Sequence, residues 1–132
     1  MAQLVIPRGE LATAHLSTNF ATTSLSLVDV TGMSVTVTAG TRPLNITVSM
    51  LGQNGTAATQ SELNLLEDGV IVGGSIFSPA ANGNWVPVSF TIRRNPAAGS
   101  HVYKLQAKVD AASTATFFGG TTYAADMSVI EV

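Results

Sequence analysis

Tyr103-Lys104-Leu105-Gln106-Ala107-Lys108-Val109-Asp110 decides the fold. Its odd positions are apolar and its even positions are polar or charged. Successive side chains of a β-strand point to opposite faces, so this segment offers one face to a core and the other to water. Such alternation is the mark of a half-buried antiparallel strand.

The same pattern spreads in both directions. Met33-Ser34-Val35-Thr36-Val37-Thr38 alternates, as does Leu44-Asn45-Ile46-Thr47-Val48-Ser49-Met50. Val86, Val88, Phe90 and Ile92 share one face, with Pro87, Ser89, Thr91 and Arg93 on the other. Asp126–Val132 alternates again as a closing strand. β-Branched residues dominate these runs, as suits a pleated, half-buried surface.

Turn signals separate the runs. Ala39-Gly40-Thr41 leads to Arg42-Pro43, and Asn82-Gly83-Asn84 precedes the strand after Trp85. Asn95-Pro96-Ala97-Ala98-Gly99 links two more strands, and Gly119-Gly120 follows Phe117-Phe118. Asp68-Gly69 lies between two apolar runs and predicts a two-residue hairpin. Strands are expected near residues 2–6, 10–16, 22–30, 33–39, 43–51, 60–67, 70–77, 86–94, 100–111, 114–118 and 126–132. Some of these should merge, leaving about eight to ten, and no helix is predicted. Short strands at regular spacing indicate an all-β sandwich or barrel. Polar residues 52–59 should cross one end of it. Residues 1–22 alternate poorly and are expected to form an N-terminal arm or edge strand that attaches to a partner; residues 23–132 form the β-sandwich domain. Within the arm, Leu4, Val5, Ile6 and Arg8 are the candidate contacts.

Composition narrows the function. The chain has 132 residues, of which 45% are hydrophobic but only 11% charged; about 25% charged is usual. A neutral, Thr-rich surface offers little electrostatic resistance to association, so a permanent oligomer is expected. The net charge of −2 and the absence of a basic run argue against nucleic-acid binding. There is no cysteine, and no apolar stretch is long enough to predict membrane insertion. The opening residues do not read as a secretory signal, and the chain is expected to be a complete product made in a cell's cytoplasm.

No residue pattern predicts catalysis, a cofactor or a metal. His15 and His101 are far apart and have no second ligand at a metal spacing, so each is expected to be an exposed or interface histidine. Asp68 beside Glu67 is explained by its turn. Glu10, Asp29, Asp126 and Glu131 are scattered. No serine sits in a nucleophile elbow, and no glycine pair forms a phosphate loop. The acceptor-like triplets at Asn45 and Asn54 are short enough to arise by chance. Trp85 is expected to plug an end of the sandwich; the alternative is an exposed anchor for a sugar or protein. Arg42, before a strand, is a candidate bridge between loops or subunits. Phe117 and Phe118 put one ring on each face of a strand, one for the core and one for a subunit interface.

Several segments together carry a resemblance. Leu27-Val28-Asp29-Val30-Thr31-Gly32-Met33-Ser34-Val35-Thr36-Val37, followed by Thr41-Arg42-Pro43-Leu44, resembles a module of tailed-bacteriophage virion proteins. So do Leu66-Glu67-Asp68-Gly69-Val70-Ile71, Ala97-Ala98-Gly99-Ser100-His101-Val102-Tyr103-Lys104 and the closing Ile130-Glu131-Val132. The likeness covers residues 24–132. It implies a jelly-roll-like antiparallel sandwich that forms homotrimers on the virion. It also implies a capsid decoration protein docked on the shell of the major capsid protein. The alternative is a receptor-binding module of a tail or fibre, directed at a glycan or protein of the host cell surface. On this basis, removing residues 1–20 is expected to abolish capsid binding and leave a folded trimer.

Overall fold

The computed structural model describes residues 9–56, 59–79, 84–123 and 125–132. The strand expected at 2–6 and the candidates Leu4, Val5, Ile6 and Arg8 lie outside the described residues. The strands are β1 (Glu10–His15), β2 (Phe20–Thr22), β3 (Val28–Ala39), β4 (Leu44–Asn54) and β5 (Ser61–Glu67). They continue with β6 (Val70–Phe77), β7 (Trp85–Arg94), β8 (Gly99–Val109), β9 (Ala115–Phe117) and β10 (Asp126–Glu131). Among the described residues there is no helix.

Register shows how the strands combine. β10 lies beside Leu44–Ser49 of β4, and β9 lies beside Gly52–Asn54 of the same β4 edge. They are two parts of one line, interrupted after Phe117. β1 and β2 follow β10 and β9 in the same way on their far side. The first sheet therefore has four lines in the order β1/β2, β10/β9, β4, β7, and the second has the order β3, β8, β5, β6. Every pairing is antiparallel. The pairing is nested: first line with last, β3 with β8, β4 with β7, β5 with β6. A long hairpin rolled into two sheets in this way is a jelly roll.

The alternation places the core. Leu44, Ile46, Val48 and Met50 face Tyr103, Leu105, Ala107 and Val109 across the sandwich, all between 0 and 3% exposed. Met33, Leu63, Leu65, Met127 and Val129 fill the same core. Each Val, Leu, Ile or Met among them contributes about 1.5–3 kcal/mol relative to exposure.

Two expectations change in detail. The stretches 22–30 and 33–39 are not two strands: β3 begins at Val28 and runs on through a bulge. Asp29 pairs Gln106 and Ser34 pairs Lys104, so residues 30–33 oppose Leu105 alone. Gly32, at φ 84°, supplies the left-handed turn, and Val30 and Met33 both remain buried. β4 extends to Asn54, so the crossing loop is shorter than residues 52–59. Residues 10–15 and 20–22 are edge strands of the first sheet, and Ala14 and Leu16 belong to the core. Removing residues 1–20 would therefore strip the sheet as well as any attachment, which the arm expectation did not allow for.

Candidate functional site

The two sheets are tied differently at their two ends. One end lies at Leu44, where Arg94 of β7 and Glu131 of β10 pair with it. Arg94 points inward and donates Nε and Nη2 to the two oxygens of Glu67, each at 3.0 Å. Tyr103 donates its hydroxyl to the same carboxylate at 2.7 Å. The arginine holds the Glu67 carboxyl below its ordinary range. Burial, then the hydrogen bond to Glu67, pushes the Tyr103 phenol well above its own. The β5–β6 hairpin turns at Asp68 and Gly69, both at positive φ, a type I′ turn. Asp68 does more than turn: it accepts from Val102 N–H at 2.8 Å and bonds His101 Nδ1 at 2.6 Å. His101 Nε2 reaches the Ala97 carbonyl at 2.6 Å.

At the opposite end the tie between the sheets is uncharged. Asn54 is fully buried. Its amide donates to Thr59 O at 3.1 Å and Ser61 Oγ at 2.8 Å, and its oxygen accepts from Thr56 N–H and Ser113 Oγ. The amide joins β4 of one sheet to β5 of the other. A buried Asn54 cannot serve as a glycan acceptor in this fold. Beside it the Phe77 ring packs edge-to-face on Phe117, centroids 5.8 Å apart. A Cβ on Gly52 would meet the Phe77 ring at 3.0 Å, so the glycine makes room for the plug.

Trp85 is thus not the plug. It heads β7 on the outer face of the first sheet and is 49% exposed. Its ring meets Phe118 at 4.7 Å and Tyr123 at 5.2 Å, and those two rings lie 5.9 Å apart. Alternation explains this: inward Val86, Val88 and Phe90 force Trp85 outward. Phe118 follows core Phe117 and points the other way. Around the cluster the outer face is mostly neutral, with Asn45, Thr47 and Ser49 on β4 opposite Arg93, Thr91 and Ser89 on β7. The three rings form an aromatic platform on a polar field, the kind of surface that binds by apolar contact and stacking.

The platform depends on the interruption between β9 and β10. Phe118 N–H donates to Leu51 O and Gly120 N–H to Leu16 O, each at 2.9 Å. Gly119 N–H donates to Asn19 Oδ1 at 3.0 Å. A Cβ on Gly119 would lie 2.5 Å from the carbonyls of Leu16 and Thr18, so only glycine lets the two excursions touch. His15 bonds Asp126 through Nδ1 at 2.6 Å and the Gly120 carbonyl through Nε2 at 2.7 Å. Residues 16–19 also open a cleft of about 410 Å³ toward Thr31 and Gly32.

The sequence candidates separate accordingly. Phe118 and Trp85 come together on the surface. Phe117 is fully buried within the chain and cannot serve as an interface residue. Arg42 is half-buried in the β3–β4 turn at the Leu44 end, remote from the platform. Tyr123 was missed, because no alternation marks it; the Asp126 and Asp68 partners of the histidines were missed because they lie 111 and 33 residues away in sequence. Among the described residues no group of three His, Asp or Glu side chains converges as a metal site. Both nitrogens of each histidine are engaged by oxygens of this chain.

No protein-family model matches the chain, and no curated protein sequence does so at a significant level. Solved structures do match. Dimeric latent PorU from Porphyromonas gingivalis superposes on 99% of this chain with a TM-score of 0.58 and 12% identity. The insecticidal delta-endotoxin Cry8Ea1 from Bacillus thuringiensis superposes on 86% with a TM-score of 0.51 and 10% identity. The chain spans only 13% and 19% of those two proteins. The carbohydrate-binding module CBM36, solved with calcium and xylotriose, covers 96% of this chain at a TM-score of 0.48 and 18% identity. Likeness to the first two establishes fold and nothing finer: this chain is an all-β, jelly-roll sandwich.

Proposed function

We propose that this chain is a non-enzymatic virion module that acts by assembly, as a capsid decoration protein. Three copies associate, and the trimer docks on a shell of the major capsid protein. The observation that supports this best is the platform of Trp85, Phe118 and Tyr123 on a largely neutral polar sheet face. Apolar aromatic centres ringed by polar groups are the usual make-up of a protein interface. Attachment to the shell falls to residues 1–8 and Arg42; the carbonyl of Gly9, the first described residue, accepts from Glu131 N–H at the Leu44 end, away from the platform. The sequence resemblance to tailed-phage virion modules points the same way.

Sedimentation equilibrium tests the trimer, and quantitative mass spectrometry of purified particles tests its place. The expected results are a trimer that Phe118→Ala weakens, and hundreds of copies per particle. A monomer at all concentrations would end the reading. Removal of residues 1–8 alone, which spares β1, should abolish shell binding and leave the trimer intact.

One observation favours a second reading, a receptor-binding module: the Trp85 ring is half exposed in the single chain. A few copies at a tail tip, and a glycan-array signal lost in Trp85→Ala, would favour that reading over decoration.

A further inference from the structure

Phe118 and Tyr123 sit on the turn of residues 118–123, and Trp85 sits on a strand across β4. The platform exists only while that turn is held in place. Backbone bonds to Leu51 and Leu16 hold its start. Two side chains reach into its middle: Asn19, which accepts from Gly119 N–H, and His15, which holds the Gly120 carbonyl.

The chemistry of that contact is specific. A neutral imidazole has one N–H, and its other nitrogen is an acceptor. Both nitrogens of His15 face oxygens that can only accept, the Asp126 carboxylate at 2.6 Å and the Gly120 carbonyl at 2.7 Å. A neutral ring satisfies one of them and sets a lone pair against the other. Only the imidazolium donates to both. We propose that protonated His15 is a lock on the 118–123 turn, so that losing its proton frees Phe118 and Tyr123 from Trp85 and dissolves the platform.

The surroundings are consistent with such a lock. Asp126, paired with His15 across β1 and β10, is the one charged group among the causes that act on it. Neutral Ser17, Thr18 and Asn19, with Thr31 and Gly32 of β3, line the cleft beside it. Asp29 of β3 is engaged by Lys104 and Gln106. The Asp126 hydrogen bond first, and the Gly120 carbonyl second, raise the imidazole above its ordinary value of 6.5. A raised value means the lock is complete below pH 6.5 and is lost as pH climbs through the folded-state value. The ion pair is solvent-exposed, so added salt should weaken it.

His101 provides an internal control. It has the same two-acceptor arrangement, with Asp68 and Ala97, but at the Leu44 end of the sandwich. Its titration should leave the platform untouched.

The chain has a single tryptophan, and it is the platform's own. Trp85 emission and the two histidine C–H resonances can therefore be followed on one sample from pH 5 to 9. His15 should titrate above 6.5, and Trp85 emission should change with the same midpoint. Asp126→Asn should move both midpoints down together. His15→Gln should abolish the emission change, and His101→Gln should leave it intact. A His15 midpoint at or below 6.5 overturns the lock, as does Trp85 emission that stays flat through the His15 titration or still changes in His15→Gln. The regulatory consequence rests on the platform being the contact surface. Sedimentation over the same pH range separates the two: a trimer that loosens with the His15 midpoint supports both. Unchanged association, with the lock seen by fluorescence, overturns the platform's role and not the lock.

Discussion

The two ends of the sandwich do the same job with different chemistry. At the Leu44 end, Arg94 of one sheet is bound by Glu67 and, through it, Tyr103 of the other. At the Asn54 end, a buried amide and a pair of phenyl rings join the same two sheets. Inward polar groups need partners at either end. The charged closure must also offset the cost of taking ions out of water, which it does through two-pronged geometry and a third donor. The neutral closure carries no such cost and has nothing to titrate. The charged closure should answer to pH and salt, and the closure at Asn54 should not.

The largest effect should come at the neutral end. Phe117→Ala removes a fully buried ring and its edge-to-face contact with Phe77. A phenylalanine-to-alanine change in a core costs about 3–5 kcal/mol. Phe118→Ala, one residue on, removes an outward ring and should cost less than about 1.5 kcal/mol, the range of one aromatic pair. Urea unfolding of the two variants checks the assignment of inner and outer faces. Equal losses would mean that the faces are wrongly assigned.

Next comes the charged end. Glu67→Gln keeps the shape but leaves Arg94 without its counter-charge. Arg94 is about a third exposed, so water replaces part of the lost interaction. A loss of about 2 kcal/mol is expected, in keeping with hydrogen bonds to charged groups. The wild-type margin over Glu67→Gln should shrink in high salt. Asn54→Ala should cost about 1–2 kcal/mol by leaving Ser61 and Ser113 short of a partner, and that margin should not depend on salt. A salt response shared by both variants would erase the distinction between the ends.

Much of this was legible in the sequence, for a definite reason. Period-two alternation is local, and it placed the faces of β4, β7 and β8 and the hairpin at Asp68-Gly69. Nested pairing is not local. Nothing near His15 announces Asp126, and nothing near Asn54 announces Ser61 and Ser113. Trp85 was misjudged because a ring after a polar turn suits a plug. Its parity with Pro87, Ser89 and Thr91 already put it on the outer face. Gly32 hid a bulge because a glycine between two alternating runs reads equally well as a turn. Tyr123 lies in a turn whose position is set by Gly119 and by residues 16–19 a hundred positions earlier, a closeness that only the folded chain reveals.

The smallest effect follows from the charged end's second tie, Asp68 with His101. Val102 N–H, and then His101, hold the Asp68 carboxyl below its ordinary 3.8. Arg94 holds Glu67 below its ordinary 4.5. Lowered carboxyls contribute stability above those values and lose it as pH falls through the folded-state ones. His101 behaves in the opposite way: its value is raised, chiefly by Asp68, so its contribution is full below 6.5 and fades as pH rises through the folded-state value. The tie is tightest between the carboxylate range and 6.5. His15 has the same alkaline sign, so the comparison belongs in a His15→Gln background. There, denaturation midpoints measured against pH should decline above 6.5, and Asp68→Asn should flatten that decline. The change should be slight, because half of the Asp68 side chain is open to water that screens the pair. A decline that survives Asp68→Asn unchanged would mean that the His101 clamp contributes nothing to the stability of the charged end.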